Sequence, residues 1–146
     1  MTVAPSRSSM PRTLAAALTI TDLLFLLYWA LSGLDVVGAI RLPDSMMFAG
    51  HDQPQVVAWN WSFLPLDMAF SILGLAAVAC ARQGSGLWRP LALMSLTCTM
   101  IAGGMAVGYW ALLGEFDPSW FLPNLLLLLW PLLFLPGLLK EMASLP

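Results

Sequence analysis

Two aspartates lie inside long apolar stretches of this sequence, where a charged side chain is costly to bury. Asp22 belongs to TITDLLFLLYW and Asp67 to WNWSFLPLDMAF, and neither stretch contains a Lys or Arg. An ionised acid within hydrocarbon costs from about 2.5 kcal/mol upward, so such residues usually face a bundle interior and have a function. We expect both carboxyl groups near mid-bilayer at one depth, either sharing a proton as a hydrogen-bonded pair or presenting a negative site to a cationic ligand.

A narrow polar face accompanies the second aspartate. Asn60, Asp67, Ser71 and Gly74 follow one another at intervals of seven, four and three residues, which places them on one side of a helix. We expect a cavity that opens outward, and its predicted ligand-binding residues are Asp22, Trp29, Asn60, Asp67, Trp110 and Asn124. The alternative is purely structural, because buried Asn and Asp also form interhelical hydrogen bonds worth about 0.6 kcal/mol each.

Other kinds of site find little support in the sequence. His51 is the lone histidine, and two cysteines, Cys80 and Cys98, are too few for a disulfide framework or a metal knuckle. We therefore predict no catalytic residue, no metal ligand and no cofactor. The net charge of -2 without a basic cluster gives a nucleic acid no electrostatic attraction.

The elements that must position these residues are membrane-spanning helices. Hydrophobic residues make up 60% of the 146 residues and charged residues only 10%. Four apolar runs, 13–34, 56–81, 90–113 and 119–139, each reach the length of about 20 residues that a helix needs to cross a bilayer. The sequence predicts an all-α, integral membrane four-helix bundle as a single domain over 13–141, preceded by a disordered leader (1–12) and followed by a tail (142–146).

The basic residues predict the orientation of the bundle. Lys and Arg are retained on the cytoplasmic face, and five of the six fall on one side of the predicted spans: Arg7, Arg12, Arg82, Arg89 and Lys140. Only Arg41 falls on the other side. We therefore expect a multi-pass protein of the inner (plasma) membrane with the N and C termini both cytoplasmic.

Two local patterns bear on how the helices pack. Prolines within the spans remove backbone hydrogen bonds and favour kinks, and they occur at Pro65, Pro123, Pro131 and Pro136. The third run contains Gly104 and Gly108 in a GxxxG pattern, which permits close helix approach within the bundle or against a partner.

Three strings carry a resemblance to a known family. TDLLFLLYW (21–29), WNWSFLPLD (59–67) and FDPSWFLPNL (116–125) resemble the YvaD-like family of small four-span bacterial membrane proteins. The resemblance covers nearly all of the chain after the leader. It implies a four-span membrane fold and brings no established biochemical function.

A second likeness concerns the second span. The pattern of Trp59, Ser62, Phe63, Asp67 and Phe70 is similar to the emopamil-binding (EXPERA) superfamily of four-span sterol isomerases and lipid or drug receptors. The likeness implies that intramembrane acids hold a cationic group in a helix-lined cavity. The spans hold no histidine to match the catalytic one of the isomerases, so the likeness favours binding over isomerisation.

Three functions remain open on the sequence. The first is a non-catalytic binding or accessory subunit, with a membrane protein or a second copy of the chain as partner. The second is a receptor or enzyme for a lipophilic, cationic or sterol-like small molecule held by Asp22 and Asp67. The third is a proton-coupled small transporter acting as an oligomer, although the chain lacks the internal repeats that alternating access usually needs.

Overall fold

The structure is a computed structural model that describes residues 9–43, 46–48 and 50–144, and these residues form helices and turns without a strand. The helices are α1 (Arg12–Val36), α2 (Pro54–Ser62), α3 (Leu64–Arg82), α4 (Trp88–Leu113), α5 (Pro118–Leu129) and α6 (Leu135–Ala143). They supply four segments long and apolar enough to cross a membrane, which confirms the predicted all-α four-helix fold. Residues 1–8 of the predicted leader and 145–146 of the predicted tail lie outside the described residues.

Proline accounts for two breaks in these segments. The second segment, Pro54–Arg82, is interrupted at Phe63, where the backbone N–H donates to the Asn60 carbonyl over 3.1 Å. Pro65 follows two residues later, and it lacks the N–H that would continue the helix. The fourth segment changes to a 3-10 turn over Trp130–Leu133, which contains Pro131, whereas Pro123 lies within α5.

The four segments pack in a row and leave one side open. α3 and α4 form the centre, α1 packs on α3, and α5 packs on α4. No Cα atom of α1 lies within 8 Å of a Cα atom of α5, and we call the gap between these two helices the seam. The end of the bundle with the 37–53 connection is called the loop end. The opposite end, where α1 begins and α6 finishes, is called the terminal end.

Small residues bring the central helices together. The face of α4 toward its neighbours repeats Ala92, Ser95, Thr99, Ala102 and Ala106 at three- and four-residue spacing, and all five are buried. The closest backbone approach is between α4 and α5 at Gly103, where a Cβ atom would stand 2.6 Å from both the Asn124 carbonyl oxygen and the Leu128 nitrogen. In membranes such close contacts replace the hydrophobic effect as the source of helix association.

The close approach differs in position from the predicted GxxxG pattern. A Cβ atom on Gly104 would meet only the tip of the Leu128 side chain at 3.5 Å, and one on Gly108 would meet nothing within 4 Å. The reason is the rotation of α4, which turns Gly103 and not the two predicted glycines toward the α5 backbone.

Polar contacts fasten both ends of the bundle. At the terminal end, Arg89 is buried and its guanidinium forms an ion pair with Glu141 of α6, with Nη2 and Oε1 2.6 Å apart. At the loop end, Asp35 accepts a hydrogen bond from the Leu42 N–H. Asp117 caps α5, and hydrogen bonds from the Ser119 hydroxyl and N–H lower the pKa of its carboxyl.

We predict that Gly103→Ala destabilises the protein while Gly108→Ala does not. The new methyl group at Gly103 would meet two backbone atoms of α5, which cannot move unless the helices separate. Overpacking of this kind costs about 1–3 kcal/mol, more than the gain of about 1 kcal/mol in helix propensity. Thermal unfolding in detergent micelles measures both variants, and equal unfolding temperatures would contradict the α4–α5 contact described here.

Candidate functional site

A cavity of about 530 Å³ lies along the seam, nearer the loop end of the bundle. α1 and α5 form its sides, and α2, α3 and α4 form its back wall. Its lining is mostly apolar and aromatic, with Leu24, Phe25, Trp59, Ala106, Trp110, Trp120 and Leu127 among its residues. Pockets of this size and character commonly hold small molecules.

Asp67 is the acid of this cavity. It lies in the first turn of α3, directly after the break at Phe63, and only 4% of its surface is exposed. The indole N–H of Trp29 on α1 donates a hydrogen bond to Asp67 Oδ2 over 3.0 Å. The other carboxyl oxygen, Oδ1, has no partner among the described residues. The tryptophan thus fixes the carboxyl group, and Oδ1 remains a buried, unpaired acceptor on a residue of the cavity lining.

Two further polar groups in the lining also lack a partner. Asn60, in the last turn of α2, accepts a hydrogen bond from the Tyr28 hydroxyl over 3.0 Å, whereas its Nδ2 has no partner within the described ranges. The indole Nε1 of Trp130 is likewise buried and unpaired. Unpaired buried polar atoms are rare and need an explanation. The cavity lining therefore includes three residues that each carry one buried, unpaired polar atom.

Asp22 lies elsewhere, sealed between α1 and α3. It is 1% exposed, it is not among the cavity-lining residues, and neither of its carboxyl oxygens has a hydrogen-bond partner in the part of the chain described. The carboxyl group occupies the space beside Gly74, where a Cβ atom would stand 2.9 Å from Asp22 Cγ and 2.9 Å from Ser95 Oγ. Only a glycine at this position of α3 leaves room for the acid.

The two carboxyl groups do not meet, so the predicted proton-sharing pair is wrong. On α1, Trp29 lies beside Asp67 and Asp22 lies beside Gly74. The two contacts are seven residues apart along α1 and also seven residues apart along α3, which runs antiparallel to it. This offset is two helical turns, or about 10 Å. The rings of Phe25 and Phe70 pack edge to face, with centroids 4.9 Å apart, and both residues lie between these two levels.

The structure thus brings together four of the six predicted site residues. Asn60, Asp67, Trp110 and Asn124 line the cavity, although the Asn124 amide is occupied by a hydrogen bond to the Trp120 carbonyl. Asp22 and Trp29 are absent from the lining. Trp29 instead supports Asp67 from behind. Exposed side chains of the lining, Ile20, Leu24 and Leu126, lie along the seam, and the outward opening stays a prediction.

Sequence reasoning missed Tyr28 and Trp130. Tyr28 lies in the same α1 turn as Trp29 and orients Asn60 through its hydroxyl group. Trp130 lies one residue before Pro131, where the α5 helix gives way to the 3-10 turn. The signal for Tyr28 was available, since a phenol inside an apolar span needs a hydrogen-bond partner. The placement of Trp130 depends on the turn and had no equivalent signal.

Fold and cavity together define a small four-helix membrane protein with a ligand-sized cavity between two of its helices. The chain belongs to a family of unknown function (DUF5360), whose model matches residues 14–145. It is 40% identical over 122 residues to the uncharacterized protein YvaD of Bacillus subtilis (strain 168), covering 84% of this chain and 88% of that protein. The predicted YvaD-like resemblance is therefore confirmed. No solved structure matches the chain.

We predict that Gly74→Ala destabilises the protein and that Asp22→Ala recovers part of the loss. The added methyl group would overlap the Asp22 carboxyl group, at a cost of about 1–3 kcal/mol. Removing the carboxyl relieves that overlap, so the double variant should show a coupling of about 0.5–3 kcal/mol. Thermal or denaturant unfolding of the two single variants and the double variant gives this value, and simple additivity would refute the placement of Asp22.

Proposed function

We propose that this protein binds a lipophilic molecule carrying a protonated amine in the cavity along the seam. The observation that carries the proposal is the unpaired Oδ1 of Asp67, a buried acceptor on a residue that lines a mostly apolar cavity. An ammonium group would donate to Oδ1 and balance the charge of the carboxylate. The apolar body of the ligand would contact the aromatic and aliphatic walls.

Electrostatics favours a cationic ligand over a neutral one. The lining holds no Lys or Arg among the described residues, so the cavity itself supplies no positive charge for Asp67. A carboxylate in an apolar setting is stabilised by an opposite charge far more than the same group in water. Charge-assisted hydrogen bonds are also about twice as strong as neutral ones.

The unpaired Asn60 Nδ2 refines the proposed ligand. It is a donor on the same wall as Asp67. Asn60 lies in the last turn of α2, and Asp67 lies in the first turn of α3 after the break at Phe63. A ligand with an ether, hydroxyl or carbonyl oxygen near its amine would pair with both residues at once. Leaving either group unpaired after the cavity fills would cost about 1–3 kcal/mol, so the pair of residues selects for an oxygen beside the amine.

The proposal includes the location and role of the protein. Arg12, Arg82, Arg89 and Lys140 belong to the terminal end, and this distribution supports an inner-membrane protein with the terminal end in the cytoplasm. Asp67 then lies in the outer half of the bilayer. The proposed role is binding without turnover, as a receptor or as the ligand-holding subunit of a larger membrane assembly.

We predict that Asp67→Asn weakens binding of 4-phenylbutylamine by roughly tenfold to a hundredfold, because a hydrogen bond to a charged group contributes about 1.5–3 kcal/mol. The measurement is the shift in unfolding temperature of the purified protein in mild detergent as the amine is titrated. The neutral analogue 4-phenylbutanol should give a smaller shift with the native protein and nearly the same shift with the variant.

Asp22→Asn is the matched control, because it changes an equally buried acid that lies outside the cavity. It should leave the response to 4-phenylbutylamine unchanged. Equal loss in the two variants, or no loss in Asp67→Asn, would sink the proposal. Co-purification of a protein whose binding is competed by the amine would support the subunit role and identify the assembly.

A further inference from the structure

A set of aromatic rings lies across the cavity at the loop end. Trp120 at the start of α5 packs edge to face against Tyr28 of α1, with ring centroids 6.4 Å apart. Phe48 of the connecting segment packs against the same indole at 6.5 Å and is buried. These three rings, which we call the roof, join the two sides of the seam above the cavity.

The same cavity is open on its flank. Its lining includes Ile20 and Leu24 of α1 and Leu126 of α5, and these side chains are 60%, 59% and 62% exposed. All three are aliphatic and lie within apolar segments that can span a membrane. Since no Cα atom of α1 lies within 8 Å of a Cα atom of α5, these two helices do not close the flank between them. In a bilayer this opening would face acyl chains.

We infer that the ligand enters sideways from the bilayer, through the seam, and not from the aqueous phase past the roof. The inference rests on the proposed function and specifies its ligand class: a membrane-dissolved amine with an aliphatic chain. Its ammonium group reaches Asp67, and its chain lies between Leu24 and Leu126 and extends into the lipid. A ligand held this way need not be fully enclosed, which fits a cavity open along one side.

The charge of the site is consistent with this route. A protonated amine in a membrane keeps its ammonium group near the headgroups and its chain in the hydrocarbon. Asp67 lies about 10 Å from the loop end of α1, because its partner Trp29 precedes the last residue, Val36, by seven positions. The carboxyl group is thus within reach of a headgroup-level amine that moves laterally and slightly deeper.

Photocross-linking tests the route. The probe is an octadecylamine with a diazirine on the carbon chain near the amine, dissolved in phosphatidylcholine nanodiscs that contain the protein. Mass spectrometry follows the initial rate of cross-linking to the cavity residues Ala106 and Trp110. The double variant Leu24→Trp/Leu126→Trp narrows the seam and should lower this rate on the order of tenfold, as expected when access needs a rearrangement.

Two variants separate the seam from other effects. Leu23→Trp/Leu27→Trp adds the same bulk to α1 at exposed positions outside the cavity lining, and it should leave the rate unchanged. Trp120→Ala opens the roof and also removes a ring of the cavity lining, so it should not raise the rate. A higher rate with Trp120→Ala, together with no effect of the seam variant, would overturn the inference. Absence of cross-links to Ala106 and Trp110 in the native protein would also overturn it.

The outcome for Asp67→Asn distinguishes this inference from the proposed function. If amine recognition fails but lateral entry is correct, cross-linking to the cavity becomes independent of Asp67 and still depends on the seam variant. If lateral entry fails but amine recognition is correct, Asp67→Asn lowers the final yield of cross-links while the seam variant has no effect on the rate.

Discussion

The hydrogen bond from Trp29 to Asp67 fixes how α1 lies on α3, and most other features of the bundle depend on that register. Two turns away, the carboxyl group of Asp22 fits beside Gly74, where a residue with a side chain would collide with it. A slip of one turn would move the Asp22 carboxyl group from Gly74 toward the larger residues Phe70 or Val78. Both buried acids therefore help to fix the register of α1 on α3. Asp67 is hydrogen bonded to Trp29 at the cavity, whereas Asp22 is enclosed beside Gly74.

The seam follows from the same register. Because α1 is committed to α3, and α5 to α4 through the close approach at Gly103, neither outer helix is free to close against the other. With the four segments packed in a row, α1 and α5 are the two outer helices. The aromatic residues near the loop end fill only part of the seam between them. Trp59 stacks on Tyr109 with centroids 4.1 Å apart and supports the back wall, while the flank between Leu24 and Leu126 stays open. The cavity thus follows from the pairing of α1 with α3 and of α5 with α4.

The four helices could be predicted from the sequence because the length of the apolar runs determines them. The polar part of the cavity wall could be predicted because the spacing of Asn60 and Asp67 places them on one face. Sequence reasoning failed on the relation between the two acids. Counting rise per residue from the predicted span ends put Asp22 and Asp67 at one depth, whereas the packing of α1 on α3 separates them by about two helical turns. The rotation of α4 brings Gly103 and not Gly104 or Gly108 to the α5 backbone. The repeat of small residues from Ala92 to Ala106 is the sequence signal that marks this packed face, and the GxxxG pattern lies beside it. The relative depth of the two acids depends on contacts between helices, which the periodicity within one helix does not specify.

The indole N–H of Trp29 reports most directly on the interaction at the centre of this account. Its proton–nitrogen NMR signal, assigned with Trp29→Phe in lipid nanodiscs, should lie downfield of the other tryptophan indoles and exchange slowly with D₂O, because the N–H is buried and bonded to a carboxyl oxygen. Replacing Asp67 with Leu should remove the downfield shift while the other indole signals move little. An indole of Trp29 that exchanges as fast as those at the membrane surface, with a shift indifferent to Asp67→Leu, would contradict the described contact between α1 and α3 and the cavity that depends on it.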